Sequence, residues 1–216
     1  MPTVLGRQCR IEIALTFGPA LTINNVTKAS PAVATASAAH TLTVGQVGFF
    51  AVTDGMTELH NQAARVQASA TPAFTLQSLD TTTYSTAVTG GATYTPALTW
   101  GLVDSAAGYE IQGGEADQLD DTRLQDAKKR NVTGMLAAQG LSVTTRPQTV
   151  NNTVMERIEA AARNNTALLW RITLSDGSVR VYYGIPSLPG ESVQAGALAS
   201  GSFSVTGDGW VLKGAA

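Results

Sequence analysis

Charge is scarce in this chain: 14 basic and 16 acidic groups make 14% of 216 residues, against roughly 25% in an average soluble domain. The balance of −2, with a pI near 5.6, excludes the basic stripe by which a protein grips nucleic acid. A single cysteine, Cys9, cannot form an internal disulfide, so nothing calls for an oxidising compartment. Two histidines and that cysteine are too few for a strong metal cluster, and neither a metal nor another cofactor is expected. No apolar run reaches the ~18 residues of a membrane span, and the opening MPTVLGRQCR lacks the apolar centre of a secretion signal. A GxSxG elbow, a phosphate loop and an HExxH helix are missing too. Cys9 could meet His40 or His60 in space, but a buried thiol and two turn-side histidines explain these residues without chemistry. The expectation is a soluble chain made in the cytosol, without catalytic residues.

What charge there is falls unevenly. Residues 29–100 hold only Asp54, Glu58, Arg65 and Asp80 of the 30 charged residues, yet 15 of the 28 threonines. Threonine is β-branched and suits a pleated surface. Glycines and prolines punctuate the segment, so short strands are expected over 32–37, 47–53, 63–69 and 73–77, forming a separate small β module. Before it, Ile11, Ile13, Leu15 and Phe17 alternate with Glu12, Ala14 and Thr16, the period of a strand with one buried face.

Thr153 and Glu156 have the spacing of a capping box, and Val154, Ile158, Ala161 and Ala162 follow on one face, which predicts a helix over 153–164. Residues 168–174 and 179–185 then flank Asp176-Gly177, a type I′ turn signal. A two-residue turn sets Leu174 against Val179, Ile172 against Val181 and Trp170 against Tyr183. A last hairpin is expected between 202–206 and 210–212, around Gly207-Asp208-Gly209.

Residues 112–134 differ from their surroundings, with nine of the 30 charged residues in 23 positions. The acids Glu115, Asp117, Asp120, Asp121 and Asp126 are interleaved with and followed by Arg123, Lys128, Lys129 and Arg130, after a flexible start at Gly113-Gly114. A surface helix around 122–130 is one reading, since Asp126 and Arg130 are i,i+4 partners. A calcium loop fits poorly, because the acids lack its order. The third reading is a long exposed loop that meets another subunit. Trp100, Trp170, Trp210, Tyr182 and Tyr183 admit a sugar-binding platform, although packing is the commoner use of aromatics at strand spacing.

An amphipathic strand, the charged stretch GGEADQLDDTRLQDAKKRNVTG, a strand, the helix TVMERIEAAARNN, the hairpin LLWRITLSDGSVRVYYGIPS and the closing ESVQAGALASGSFSVTGDGW follow in that order. Over residues 1–27 and 97–216 this resembles the tail tube (major tail) proteins of long-tailed bacteriophages. The stretch from Lys28 to Asp80, with its His40 turn and its Val47, Arg65-Val66 and Phe74-Thr75-Leu76 strands, resembles a small β module common in phage structural proteins. The resemblance implies a mainly β fold: a β-sandwich with a barrel-forming sheet and one flanking helix over 1–28 and 97–216, plus an inserted small β domain over 29–96. It also implies a virion protein, assembled in the host cytoplasm as hexameric rings stacked into a tube. Its partners would be further copies of itself, the tape-measure protein, tail terminator and distal tail proteins, and DNA only in non-specific transit, with no membrane. The inter-subunit loop would hold Gly113, Glu115, Asp117, Asp120, Asp121, Arg123, Lys128, Lys129 and Arg130. The runner-up is a β-sandwich binding module, an adhesin or carbohydrate binder.

Overall fold

The computed structural model describes residues 9–85, 88, 90–113, 116–121, 128–136, 139–146, 152–195, 198–207 and 209–215. The fold is mainly β. The first strand, β1 (Arg10–Phe17), buries Ile11, Ile13 and Ala14, as its alternation predicts for the isoleucines. The threonine-rich region forms β3 (Val33–Ala36), β4 (Val47–Val52), β5 (Ala63–Ala70), β6 (Ala73–Leu76) and the start of β7 (Ala92–Leu102), and it is joined by β2 (Leu21–Val26), which precedes the expected module boundary at 29. The expected strand positions in this region agree to within two residues at each end.

These six strands pair in the order β2-β3-β6-β5-β4-β7, and β7 pairs back with β2, which closes a barrel. Inside it lie Ile23, Phe50, Val66, Phe74, Leu76 and Tyr94 beside the small Ala34, Ala64 and Ala92. A barrel of so few strands has a narrow interior, so large and small side chains must alternate. The Tyr94 hydroxyl, fully buried, donates to the Ala64 carbonyl at 3.1 Å. That satisfies a group whose burial would otherwise cost ~1–3 kcal/mol. The composition boundary near residue 96 falls inside β7. Its first half pairs with β2 and β4, while Ala97–Leu102 pair with β1.

The rest of the chain is a two-layer sandwich. Its strands are β8 (Ala106–Gln112), β9 (Ala116–Asp120), β10 (Asn131–Leu136), β11 (Gly140–Thr145), β12 (Leu168–Thr173), β13 (Val179–Pro186), β14 (Gly190–Ser192), β15 (Ser200–Thr206) and β16 (Leu212–Gly214). One layer is β7-β1-β12-β13, with β16 on the start of β13. The other is β15-β11-β8, reached from the end of β13, with β14 on the far side of β15. Between the layers pack Ile13, Leu141, Val143, Trp170, Ile172, Tyr182 and Phe203. Full burial of a side chain of this size contributes ~1.5–3 kcal/mol.

The helix α1 (Thr153–Arg163) covers one end of that core through Val154, Ile158 and Ala161. Its cap is Asn152 and not the expected Thr153: the Asn152 side chain accepts from the Val154 amide at 3.0 Å. Asparagine is as good a cap as threonine or better, so the start moves back by one residue. Gly101 lets the helix approach, because a Cβ there would meet Val154 Cγ2 at 2.8 Å.

Two expected pairings are corrected. The β12–β13 register is Thr173↔Val179, Ile172↔Arg180 and Trp170↔Tyr182, one residue from the expected one. The turn has three residues: Leu174 N donates to Ser178 O, and only Gly177, at φ +80°, is left-handed. A type I′ turn needs positive φ at Asp176 too; instead the Asp176 carboxylate accepts from the Ser178 amide (2.9 Å) and hydroxyl (2.6 Å), which favours the type I turn with a glycine bulge. The last hairpin does not form either, because β15 pairs with β11, β13 and β14, whereas β16 pairs with β13.

Barrel and sandwich meet on the outer face of the β1-β12-β13 layer. Val47 and Ala63 of the barrel pack there against Leu169, Val179 and Val181, and Phe49 stacks on Tyr183 at 4.3 Å. The C-terminal segment clasps the two together. Buried Gln62 accepts from the Trp210 amide (2.8 Å) and donates to the Trp210 carbonyl (2.9 Å), and Arg65 and Gln77 both donate to Ala215 O.

Candidate assembly surfaces

The charged stretch builds a β-ribbon. Gln112↔Gly140 closes the β8–β11 ladder, and Ala116↔Leu136, four residues further along each strand, continues the same register in β9–β10. After a one-residue register shift between Thr133 and Leu136, Asn131↔Asp120, Val132↔Leu119 and an Asp121 N to Arg130 O bond of 2.9 Å extend the ribbon. The nine steps from Gln112 to Asp121 correspond to about 30 Å of extended chain. The described side chains of 118–121 and 128–133 are exposed, so this arm does not pack on its own body.

Of the residues expected in an inter-subunit loop, Gly113 stands at the root of the arm and Asp117 lies in β9. Asp120, Asp121, Lys128, Lys129 and Arg130 flank the far end of its ladder. Glu115 and Arg123 lie outside the described residues, as does 122–127 of the alternative helix. Asp120 and Lys129 approach to 3.6 Å, but both are more than half exposed, and such a pair is worth little. The expected loop is thus a paired ribbon. Its polarity hides the strand pattern, because neither face of the ribbon is buried.

Sequence reasoning missed three features. First, among the described residues β8 pairs only with β11, so its other edge has no described partner; on the opposite side of the same sheet the three-residue β14 forms a second such edge. Second, the solvent face of that sheet is nearly uncharged. Its rows read Gln112–Gly140–Thr206, Glu110–Ser142–Ser204 and Gly108–Thr144–Ser202–Gly190. Glu110 is the one charged side chain in them. Third, apolar side chains stand in solvent at Leu119 (59% exposed), Val132 (51%), Val193 (70%) and Leu198 (78%). The alternation of small polar residues in β11 and β15 was the signal for the second feature; the edges depend on topology that no local pattern reveals.

The residues considered for chemistry are dispersed. Cys9 lies beside β1 in the sandwich, while His40 and His60 belong to the barrel, where their Nδ1 atoms accept from the Leu42 (3.3 Å) and Val52 (3.0 Å) amides. The five aromatics do not make one platform. Trp170 and Tyr182 are in the sandwich core, Tyr183 stacks on Phe49, the Arg171 guanidinium covers Trp100 at 4.1 Å, and Trp210 is apart and 40% exposed. Arg171 is itself held by Glu12 at 2.9 Å. Among the described residues no group of three or more His, Cys, Asp or Glu could hold a metal ion, and no helix is long and apolar enough to cross a membrane.

The described residues thus form a mainly β body with a charged ribbon continuing from one end of its sheet. Residues 54–207, which is 154 of the 216, match the family of phage tail tube proteins, and the chain belongs to that family. The match runs through β5, β6 and β7 as well as β8 to β15 and α1 of the sandwich. No curated protein matches the chain. A tail tube protein is a virion tail component that assembles with itself.

Proposed function

We propose that this chain is the repeating subunit of a phage tail tube, in which copies join edge to edge into hexameric rings and the rings stack into the conduit for genome delivery. The open sheet β8-β11-β15-β14 carries this reading. An unpaired edge is an aggregation hazard in a monomer, and an identical copy offering its opposite edge removes it. A contact between two different edges of one chain is heterologous, and it closes into a ring when the rotation permits.

The same sheet supplies the lumen. Its hydroxyl and glycine rows give DNA almost no cation to hold it, and Glu110, repeated round a ring, repels phosphate. Each lysine or arginine contact would add salt-dependent affinity and slow transit. The barrel packs on the other layer of the sandwich, so it decorates the outside. The tape-measure protein occupies the lumen first and DNA follows without specific contact, while tail terminator and distal tail proteins close the two ends. Assembly takes place in the host cytoplasm, and the chain performs geometry and no catalysis.

The test replaces residues 114–138 by Asn-Gly, a two-residue hairpin turn that keeps the β8–β11 ladder. The expected product is a folded chain that unfolds cooperatively near the wild-type temperature and forms no tubes by negative-stain microscopy. Normal tubes from the armless chain would refute the role of the arm, and a wild-type chain that forms neither rings nor tubes would refute the reading itself.

A further inference from the structure

A cleft of about 390 Å³ opens where the barrel, the sandwich and the segment after α1 meet, within the ~300–1,000 Å³ usual for ligand sites. The end of β13 supplies most of it. Gly184 and Pro186 are the buried part of the lining, and Tyr183 and Ile185 are half-buried. Asn61 reaches it from the turn before β5, while Asn165 and Ser187 stand exposed at its rim. Tyr183 is held in place: its ring stacks on Phe49 at 4.3 Å and 8°, and Phe49 meets Phe17 edge-on at 5.6 Å. Burial pushes the Tyr183 phenol above the usual tyrosine range, so the hydroxyl stays neutral. Ser187 is fixed as well, because its hydroxyl accepts from the Ser204 amide at 2.9 Å.

We infer that this cleft binds a neutral saccharide, with an apolar sugar-ring face against Tyr183 and Ile185 and sugar hydroxyls paired with Asn165, Ser187 and the Tyr183 hydroxyl. The chemistry of the lining selects that class. None of the residues lining the cleft is charged, so a phosphate or carboxylate would find no cation and a metal ion no carboxylate or imidazole. An acyl chain is a poor fit, since amides and hydroxyls surround the small apolar part. A peptide cannot enter by strand addition, because Gly184 is already paired with Leu168, and Ile185 and Pro186 with Thr206 and Val205. What remains is a ligand with hydroxyls on its edges and apolar C–H groups on its faces. A carboxamide offers such a ligand a donor and an acceptor side by side, and a tyrosine offers an apolar ring with a polar tip. Repeated on every subunit of a polymer, a weak site of this kind gains by avidity. The inference does not rest on the proposed tube.

A glycan array tests it. The unassembled full-length chain, fluorescently labelled, is applied to immobilised neutral and acidic oligosaccharides. The expected result is signal on neutral glycans. Tyr183→Phe combined with Asn165→Gly should weaken it by about tenfold or more, the value of one or two hydrogen bonds. The first change keeps the ring on Phe49, and the second suits the positive φ of 52° at that position, so the melting temperature should stay within a few degrees of wild type. Asn165→Gly alone, at an exposed position, is the companion variant and should weaken the signal several-fold. An array without signal on any neutral glycan, signal confined to acidic glycans, or signal unchanged in both folded variants would overturn the site. Because the chain is tested unassembled, none of these outcomes depends on whether it forms tubes.

Discussion

The two halves of the molecule solve the same problem in opposite ways. Six strands of the barrel come back on themselves through the β2–β7 pairing, so each strand has a neighbour on both sides within the chain. Among the described residues the sandwich stops at β8 on one flank and at β14 on the other, and it extends a ribbon whose described side chains are exposed at 118–121 and 128–133. The charge follows the same division. The strands of the barrel carry only Arg65, whereas the arm concentrates acids and bases. Closure, more than hydrophobicity, separates the part of this chain whose strands are all paired from the part whose described edge strands are paired on one side alone.

The most disruptive way to probe the comparison is Tyr94→Ala. It empties the centre of the barrel, where Tyr94 packs against Phe50 and Phe74, and it should lower stability by about 3–5 kcal/mol in chemical denaturation. Because Tyr94 is remote from the open edges, the variant should still form tubes at temperatures where it remains folded, as microscopy would record. Failure to assemble while folded would mean that the barrel takes part in the contacts.

A smaller change separates the two halves. Gln62→Ala deletes both bonds to the Trp210 backbone, whose amide and carbonyl are part-buried, for a loss of about 1–2 kcal/mol. The expected signature is loss of hydrogen-exchange protection at 209–215 before the interior of either half. Unchanged protection there would show that the C-terminal segment is held by β13 alone.

The gentlest probe is pH, since each half contains the same turn device. Asp80 in the barrel region accepts from the Thr82 hydroxyl and amide, and Asp176 in the sandwich accepts from the Ser178 hydroxyl and amide. These bonds to the ionised form, the hydroxyl's foremost, hold both carboxyls below the usual aspartate range. A depressed folded-state value stabilises above the unfolded value of about 3.9 and is lost as pH falls through the folded one. Melting temperature should therefore drop slightly more in wild type than in Asp80→Asn or Asp176→Asn between pH 5 and the acid limit. Identical slopes would remove the turns from the account.

Much of the fold could be read from the residues, and the errors share a cause. Four barrel strands, β3 to β6, and β1 were visible from alternation and turn residues, whereas β2 and β7 were not expected. The β12–β13 hairpin misled by one residue because it is buried on both faces: Trp170 and Tyr182 point into the sandwich, Leu169 and Val181 toward the barrel. With apolar residues on both sides, alternation cannot select a register, and the turn geometry decides. The arm failed in the other direction, since with neither face buried it reads as a loop. The charged residues of the candidate site were evident from composition, but the open edges and the opposed Leu119–Val132 pair arise from long-range pairing.

Hydrogen exchange on the free chain and on its assembled form tests the central claim most directly. The account predicts that assembly protects alternate amides of β8, the amides of β14 and those of the arm, while the barrel strands exchange alike in both states. Protection gained across the barrel, with β8 still exchanging freely in the assembly, would contradict it.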